Sequence, residues 1–180
     1  LLGQFQDAIN AFSKSLELLP DHLLSCYNKG VCLYYLANYQ EAQSALQTAV
    51  NLQPDHSDSL LFLALTCHAL GNYQEAINYY LRVTALEPDS FDAWFNMALA
   101  YHAANDYDKA IEIYSETVKR WPENSTAWYN LGLVFHARNE LDNAIRAYCQ
   151  ATSITEDRPE IWYSLAAAFH SQEHYGEAIQ

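Results

Sequence analysis

The chain is short of positive charge: nine Lys and Arg stand against 22 Asp and Glu, a formal net charge of −13 at pH 7. Such a surface repels polyanions over the distance that salt screening allows, so nucleic acid and anionic membranes are not expected partners. Basic or apolar protein segments are. Glycine is equally sparse, with Gly3, Gly30, Gly71, Gly132 and Gly176 placed singly, and leaves nothing from which to build a phosphate-cradling loop. Cys26, Cys32, Cys67 and Cys149 show neither the paired spacing of a zinc site nor the density of a disulfide scaffold. They read as small buried hydrophobes in a reducing compartment. No apolar run reaches the roughly 18 residues of a membrane span, and no charged-then-apolar leader opens the chain. A cytoplasmic location is the expectation. Leu1 falls in the middle of a repeating pattern, so the chain reads as a segment of a longer protein.

What is present is a period. Pro20, Pro54, Pro88 and Pro122 recur 34 residues apart, and the same interval relates Trp94, Trp128 and Trp162. It also relates Ala8, Ala42, Ala76, Ala110, Ala144 and Ala178. Three chemically different markers in one register identify a stacked repeat array. With 51% hydrophobic residues the chain must bury apolar surface, and an array buries it as a ribbon between neighbouring units. Residues 1–180 are therefore read as one array. Residues 1–22 are the second helix of a partial unit, 23–56, 57–90, 91–124 and 125–158 are full units, and 159–180 begin another.

Within each unit the apolar residues fall three and four apart. Trp94, Met97, Ala98 and Tyr101 share one helical face, as do Trp128, Leu131, Gly132 and Phe135. A polar break follows at 37–38, 71–72, 105–106 and 139–140, where Asn or Asp can cap the next helix. Glu41 and Glu75 stand three residues after Asn38 and Asn72, the spacing of a capping box. The second helix runs through Ala76, Ile77, Tyr80 and Val83, or Ala110, Ile111, Tyr114 and Thr117, and stops near the proline. Small residues at Gly30, Ala64, Ala98, Gly132 and Ala166, and in the series Ala42 to Ala178, let paired helices approach to about 8–10 Å. Each unit is a helical hairpin.

The runs Ala93-Trp94-Phe95-Asn96-Met97-Ala98 and Ala127-Trp128-Tyr129-Asn130-Leu131-Gly132, with Tyr107-Asp108-Lys109-Ala110-Ile111 and the closing Trp121-Pro122, resemble tetratricopeptide repeats. The resemblance covers the whole chain. Departures are Lys29 in an apolar place, Cys26 and Leu60 in the place of Trp, and Glu156 where a fifth proline would stand, with Pro159 able to open the following helix. The resemblance implies an all-α fold, a right-handed α-α superhelix of antiparallel helix pairs. Its first helices line a concave groove.

The groove residues so implied are Tyr27, Asn28 and Tyr34, then Phe62 and His68, then Phe95, Asn96 and His102. Tyr129, Asn130 and His136 follow, then Tyr163 and His170. Asn28, Asn96 and Asn130 share one place of the period, and a row of amides there can bond the backbone of an extended peptide without reading its sequence. His68, His102, His136 and His170 share another. Equivalent positions on stacked hairpins lie about 8–10 Å apart whereas zinc needs ligand nitrogens at about 2.0–2.1 Å, so no metal is expected. Neighbouring acids are expected to favour charged histidine and make the groove pH-responsive. Asp58, Asp92 and Glu160 stabilise helix N-termini, and the groove positions supply no Lys or Arg for clamping a carboxylate. No nucleophile, metal or glycine-loop motif stands apart from the repeat, so neither catalysis nor a cofactor is expected. The function read from these residues is a scaffold whose groove binds a peptide or helical segment, basic or apolar in character, of a partner protein. The alternatives are a self-associating subunit of a multiprotein assembly and the substrate-selecting arm of a larger enzyme such as a glycosyltransferase.

Overall fold

The computed structural model describes the backbone of residues 2–178 and the side chains of residues 3–172. The array limits at Leu1 and Gln180, and the packing expected of Gly176 and Ala178, lie outside the described residues. Those residues form ten helices and no strand: α1 Leu2–Leu18, α2 Leu23–Tyr35, α3 Tyr39–Leu52, α4 Ser57–Ala69, α5 Tyr73–Leu86, α6 Phe91–Ala103, α7 Tyr107–Arg120, α8 Ser125–Ala137, α9 Leu141–Ile154 and α10 Pro159–Ala178. The architecture is an all-α solenoid of antiparallel helix pairs. Among the described residues no helix is long and apolar enough to cross a membrane.

The chain divides into two compact units, Leu1–Ala93 and Trp94–Gln180. In the first, α1 to α5 pack in succession, and α2 also touches α4. In the second, α7 to α10 pack in succession, and α8 touches α10. The first helices α2, α4 and α8 thus meet both their hairpin partners and, in the pairs α2 with α4 and α8 with α10, the first helix of an adjacent hairpin, the nearest-neighbour pattern of a solenoid.

Close approach within a hairpin depends on one crossing. Leu46, Tyr80, Tyr114 and Tyr148, 34 residues apart on the second helices, are all fully buried. Opposite them on the first helices stand small residues. A Cβ on Gly30 would lie 2.5 Å from Leu46 Cγ, and one on Gly132 would lie 2.5 Å from Tyr148 Cε1. Ala42, Ala76, Ala110 and Ala144 are likewise fully buried. The tyrosine ring fills the space that the small residue opens, at the cost of burying a hydroxyl: those of Tyr80, Tyr114 and Tyr148 bond to no described residue.

The turns inside the hairpins are closed by backbone, which corrects the expected capping. Ala37, Gly71, Asn105 and Asn139 have φ of 58°, 80°, 60° and 62°. The next amide of each reaches back to Leu33 O, Cys67 O, Tyr101 O or Phe135 O at 2.9 Å, the Schellman closure. A capping box needs that same amide free for the Glu side chain, so Glu41 and Glu75 close no box; Asn38 and Asn72 make no side-chain cap either. Glu75 instead receives Tyr79 Oη at 3.4 Å. Of the second helices described, α7 alone shows a side-chain cap, Asp106 accepting from Lys109 N at 3.2 Å.

Two further expectations change. Cys149 is exposed while Cys26, Cys32 and Cys67 are buried. It lies one residue past the buried Tyr148 on α9, beside the exposed Gln150. The series that puts Ala178 on a separate second helix also fails, because α10 runs unbroken to Ala178. Glu173 occupies the place where the other turns put Ala37, Gly71, Asn105 and Asn139, and a glutamate has little tendency to the left-handed backbone that three of those four residues, Gly71, Asn105 and Asn139, adopt readily. Proline behaves as expected at both kinds of site: Pro54 and Pro122 follow the ends of α3 and α7 by two residues, and Pro159 opens α10.

The crossing makes a quantitative prediction. Gly132→Ala gains helix propensity, worth about 1 kcal/mol, yet drives a methyl into a rigid buried ring, costing about 1–3 kcal/mol or more. Urea unfolding is expected to show a net loss of about 1–2 kcal/mol, whereas the same change at an exposed helix site stabilises.

Candidate functional site

The first-helix face of unit 1 carries a continuous group of rings. Tyr27 meets Phe62 at 6.0 Å and His56 at 5.4 Å between centroids. Tyr34 meets Phe62 at 5.8 Å, Tyr35 at 5.6 Å and Tyr39 at 5.7 Å. Tyr35 in turn stacks on Phe5 at 5.5 Å. Three of the residues read from the sequence, Tyr27, Tyr34 and Phe62, are thus brought together, and Phe5, Tyr35 and Tyr39 extend the group. Their helical spacing does the work: residues 27 and 34 stand two turns apart on one face of α2, and Phe62 on the neighbouring α4 meets both. Tyr35 remains 55% exposed and Leu24 52% exposed, so the group has a free apolar surface. Burial, and then the Asp58 carboxylate, push the Tyr27 phenol above its usual range.

Unit 2 repeats the plan with a different anchorage. Phe95 packs on buried Tyr114 at 5.8 Å, and Tyr129 on buried Tyr148 at 5.9 Å. The aromatic row on the face is thereby footed on the tyrosines of the crossing. Tyr163 on α10 is 77% exposed. Arg158, absent from the residues expected here, lies against this face. Its guanidinium sits 5.7 Å from the Tyr129 ring centroid, donates to Thr126 Oγ1 at 2.9 Å and to Glu160 Oε1 at 2.7 Å. The expectation of a face without Lys or Arg is corrected: the residue just before α10 folds over it.

The amides are oriented by their own helices. Asn28 Nδ2 donates to Leu24 O at 2.7 Å and Asn130 Nδ2 to Thr126 O at 2.8 Å, which leaves each side-chain oxygen available to accept. Asn96 is half-buried on α6. The histidines differ from expectation in sign. His68 packs on Tyr73 at 5.3 Å and His102 on Tyr107 at 5.8 Å. Burial pushes both imidazoles below their usual range, where neighbouring acids were expected to raise them. Nε2 of His68 is buried without a hydrogen bond to any described residue. His136 is half-buried and His170 exposed.

Two family models described as tetratricopeptide repeat match this chain, one over residues 69–118 and 95–157 and the other over 159–180. The chain belongs to the tetratricopeptide repeat family. A third model, described as anaphase-promoting complex, cyclosome, subunit 3, matches residues 2–83 of this repeat protein. No curated protein matches it. Among solved structures, MamA is 25% identical, covering 88% of this chain and 92% of its own with a TM-score of 0.82. MamA from Desulfovibrio magneticus RS-1 is 19% identical over 87% of this chain and 88% of its own, TM-score 0.82. YrrB, described as a TPR protein with an unusual peptide-binding site, is 19% identical over 95% of this chain and 84% of its own, TM-score 0.81. The two at 19% show likeness of fold.

The depressed histidines tie stability to pH. A folded imidazole held below its unfolded value of 6.5 takes up its proton later than the unfolded chain does. The contribution is complete above about pH 6.5–7 and is lost as pH falls below that value. The urea midpoint is expected to fall between about pH 7 and pH 5, and a His68→Gln, His102→Gln variant to show a shallower fall over the same interval.

Proposed function

We propose that this repeat protein is an interaction scaffold that holds a basic or apolar segment of a partner protein against the first-helix faces of its hairpins. The ring group of Tyr27, Tyr34, Tyr35 and Phe62 beside Asp58 carries the reading. Large rigid rings with an exposed edge bury area at small entropic cost, and aromatic residues dominate such interfaces. A carboxylate next to ring faces attracts Lys or Arg, which ring faces also hold by cation–π attraction. Arg158 over Tyr129 shows that chemistry inside the chain itself. The side-chain oxygens of Asn28 and Asn130 add acceptors for a peptide backbone, and the net charge of −13 steers basic segments toward the surface. The peptide-binding site in the description of YrrB, a protein of like fold, supports the same use. His68, His102, His136 and His170 border these faces and take no reaction in this reading.

A second reading, a subunit of a multiprotein assembly, draws on the match of residues 2–83 to a model named for a complex subunit, and on exposed Trp162, Tyr163 and Phe169 of α10. Sedimentation of the isolated chain separates them, since a concentration-independent monomer removes self-association.

Selection from a displayed random peptide library is expected to enrich segments with Arg or Lys among apolar residues. Tyr27→Ala with Tyr35→Ala should weaken a selected peptide by about tenfold or more, and added salt should weaken it further. Unchanged affinity in that variant, or enrichment of acidic peptides, contradicts the reading.

A further inference from the structure

A cavity of about 320 Å³ opens in unit 1, lined by Leu16, Pro20, Cys26, Lys29, Leu33 and Thr48, and by Glu41, Ser44 and Ala45 of α3. It lies on the side of α2 opposite the ring group: at 100° per residue, positions 26, 29 and 33 project away from 27, 31 and 34. Its origin is legible in the period. Cys26 stands where later units have Leu60, Trp94, Trp128 and Trp162, and Lys29 where they have Leu63, Met97, Leu131 and Leu165. Those four apolar residues are buried, with exposures of 0%, 1%, 4% and 8%. Two departures side by side, one too small and one polar, leave the space unfilled.

The same comparison identifies what fits there. Trp128 Nε1 donates to Pro122 O at 2.9 Å, and Trp162 Nε1 donates to Glu156 O at 2.9 Å, the corresponding carbonyl one unit on. In the second full unit Leu60 has no donor, and Arg82 Nη2 reaches Pro54 O at 2.6 Å in its stead. The corresponding carbonyl at the cavity is that of Pro20. Cys26 is too short to reach it, Thr48 stands in the place of Arg82, and no described residue donates to it. The cavity therefore offers apolar wall from Leu16, Leu33 and Ala45, the Pro20 carbonyl in the register that accepts an indole N–H in later units, and polar lining from Lys29, Glu41, Ser44 and Thr48, of which the Lys29 ammonium can hold a ring face. Its volume is at the low end of ligand pockets, about 300–1,000 Å³, enough for one planar bicycle.

We propose that this cavity receives the indole of a tryptophan from a partner protein, its N–H donated to the Pro20 carbonyl, so that the partner supplies the residue that the hairpin itself lacks. The site is separate from the ring group, and neither depends on the other.

The test uses the whole chain and three neutral probes followed by ligand-observed NMR and calorimetry: acetyl-Gly-Trp-Gly-amide, its Phe counterpart, and free indole. The Trp peptide is expected to bind saturably in the micromolar to millimolar range, with the Phe peptide about fivefold or more weaker for want of the N–H donor. Cys26→Trp fills the cavity with the array's own side chain and is expected to remove binding while raising the urea midpoint. Cys26→Leu, the residue of the next unit, should weaken binding several-fold and keeps the test decisive if the larger change disturbs folding. Three results overturn the proposal: no saturable binding of the Trp peptide to the unaltered chain, binding undiminished in both variants, or binding of free indole with exclusion of the peptide.

Discussion

A small residue on the first helix beneath a large one on the second is the contact on which this molecule depends. Gly30 under Leu46 and Gly132 under Tyr148 leave no room for a single added carbon. Ala64 and Ala98 hold the same place of the period, with Tyr80 and Tyr114 buried on the second helices, so stability is distributed along the chain as a series of local crossings, with nearest-neighbour packing joining them. The cost is three buried phenol hydroxyls, tolerated because each ring contributes far more apolar area than a Leu in the same place.

The crossing also prepares the interaction faces. Tyr114 and Tyr148 are the floor on which Phe95 and Tyr129 rest, so core and surface aromatics form one packed column within a hairpin. Asn28 and Asn130 are held by carbonyls of their own helices, which fixes the direction of their free acceptors. A face whose rings and amides are already immobilised loses little entropy when a partner binds. Where the apolar pattern of the opposite face is broken, at Cys26 and Lys29, a cavity opens and α2 acquires a different chemistry on its other side.

Much of the fold was legible because the marks that encode it are chemically conspicuous. Proline at intervals of 34, tryptophan and alanine in the same register, and the helix starts at Leu23, Ser57, Phe91, Ser125 and Pro159 follow from spacing alone. The floor tyrosines were harder. Tyr80, Tyr114 and Tyr148 share the period, but a hydroxyl argues for a wet environment, and only the crossing opposite Gly132 shows why a ring is needed. The turns hid their mechanism because Ala37, unlike Gly71 or Asn105, gives no hint of a left-handed backbone. At the site, Tyr27, Tyr34 and Phe62 could be grouped from helical periodicity, whereas Arg158 over Tyr129 depends on the path of the segment before α10. The direction of the histidine shifts was not legible at all, since burial against Tyr73 and Tyr107 is a property of packing.

Residue-resolved amide hydrogen exchange tests the central claim most directly. If stability resides in repeated crossings, the slowest amides will cluster around residues 30 and 46, 64 and 80, 98 and 114, and 132 and 148, recurring at the interval of 34 residues. Protection confined to one block of the chain, with the remaining hairpins exchanging at rates of unfolded peptide, would contradict it.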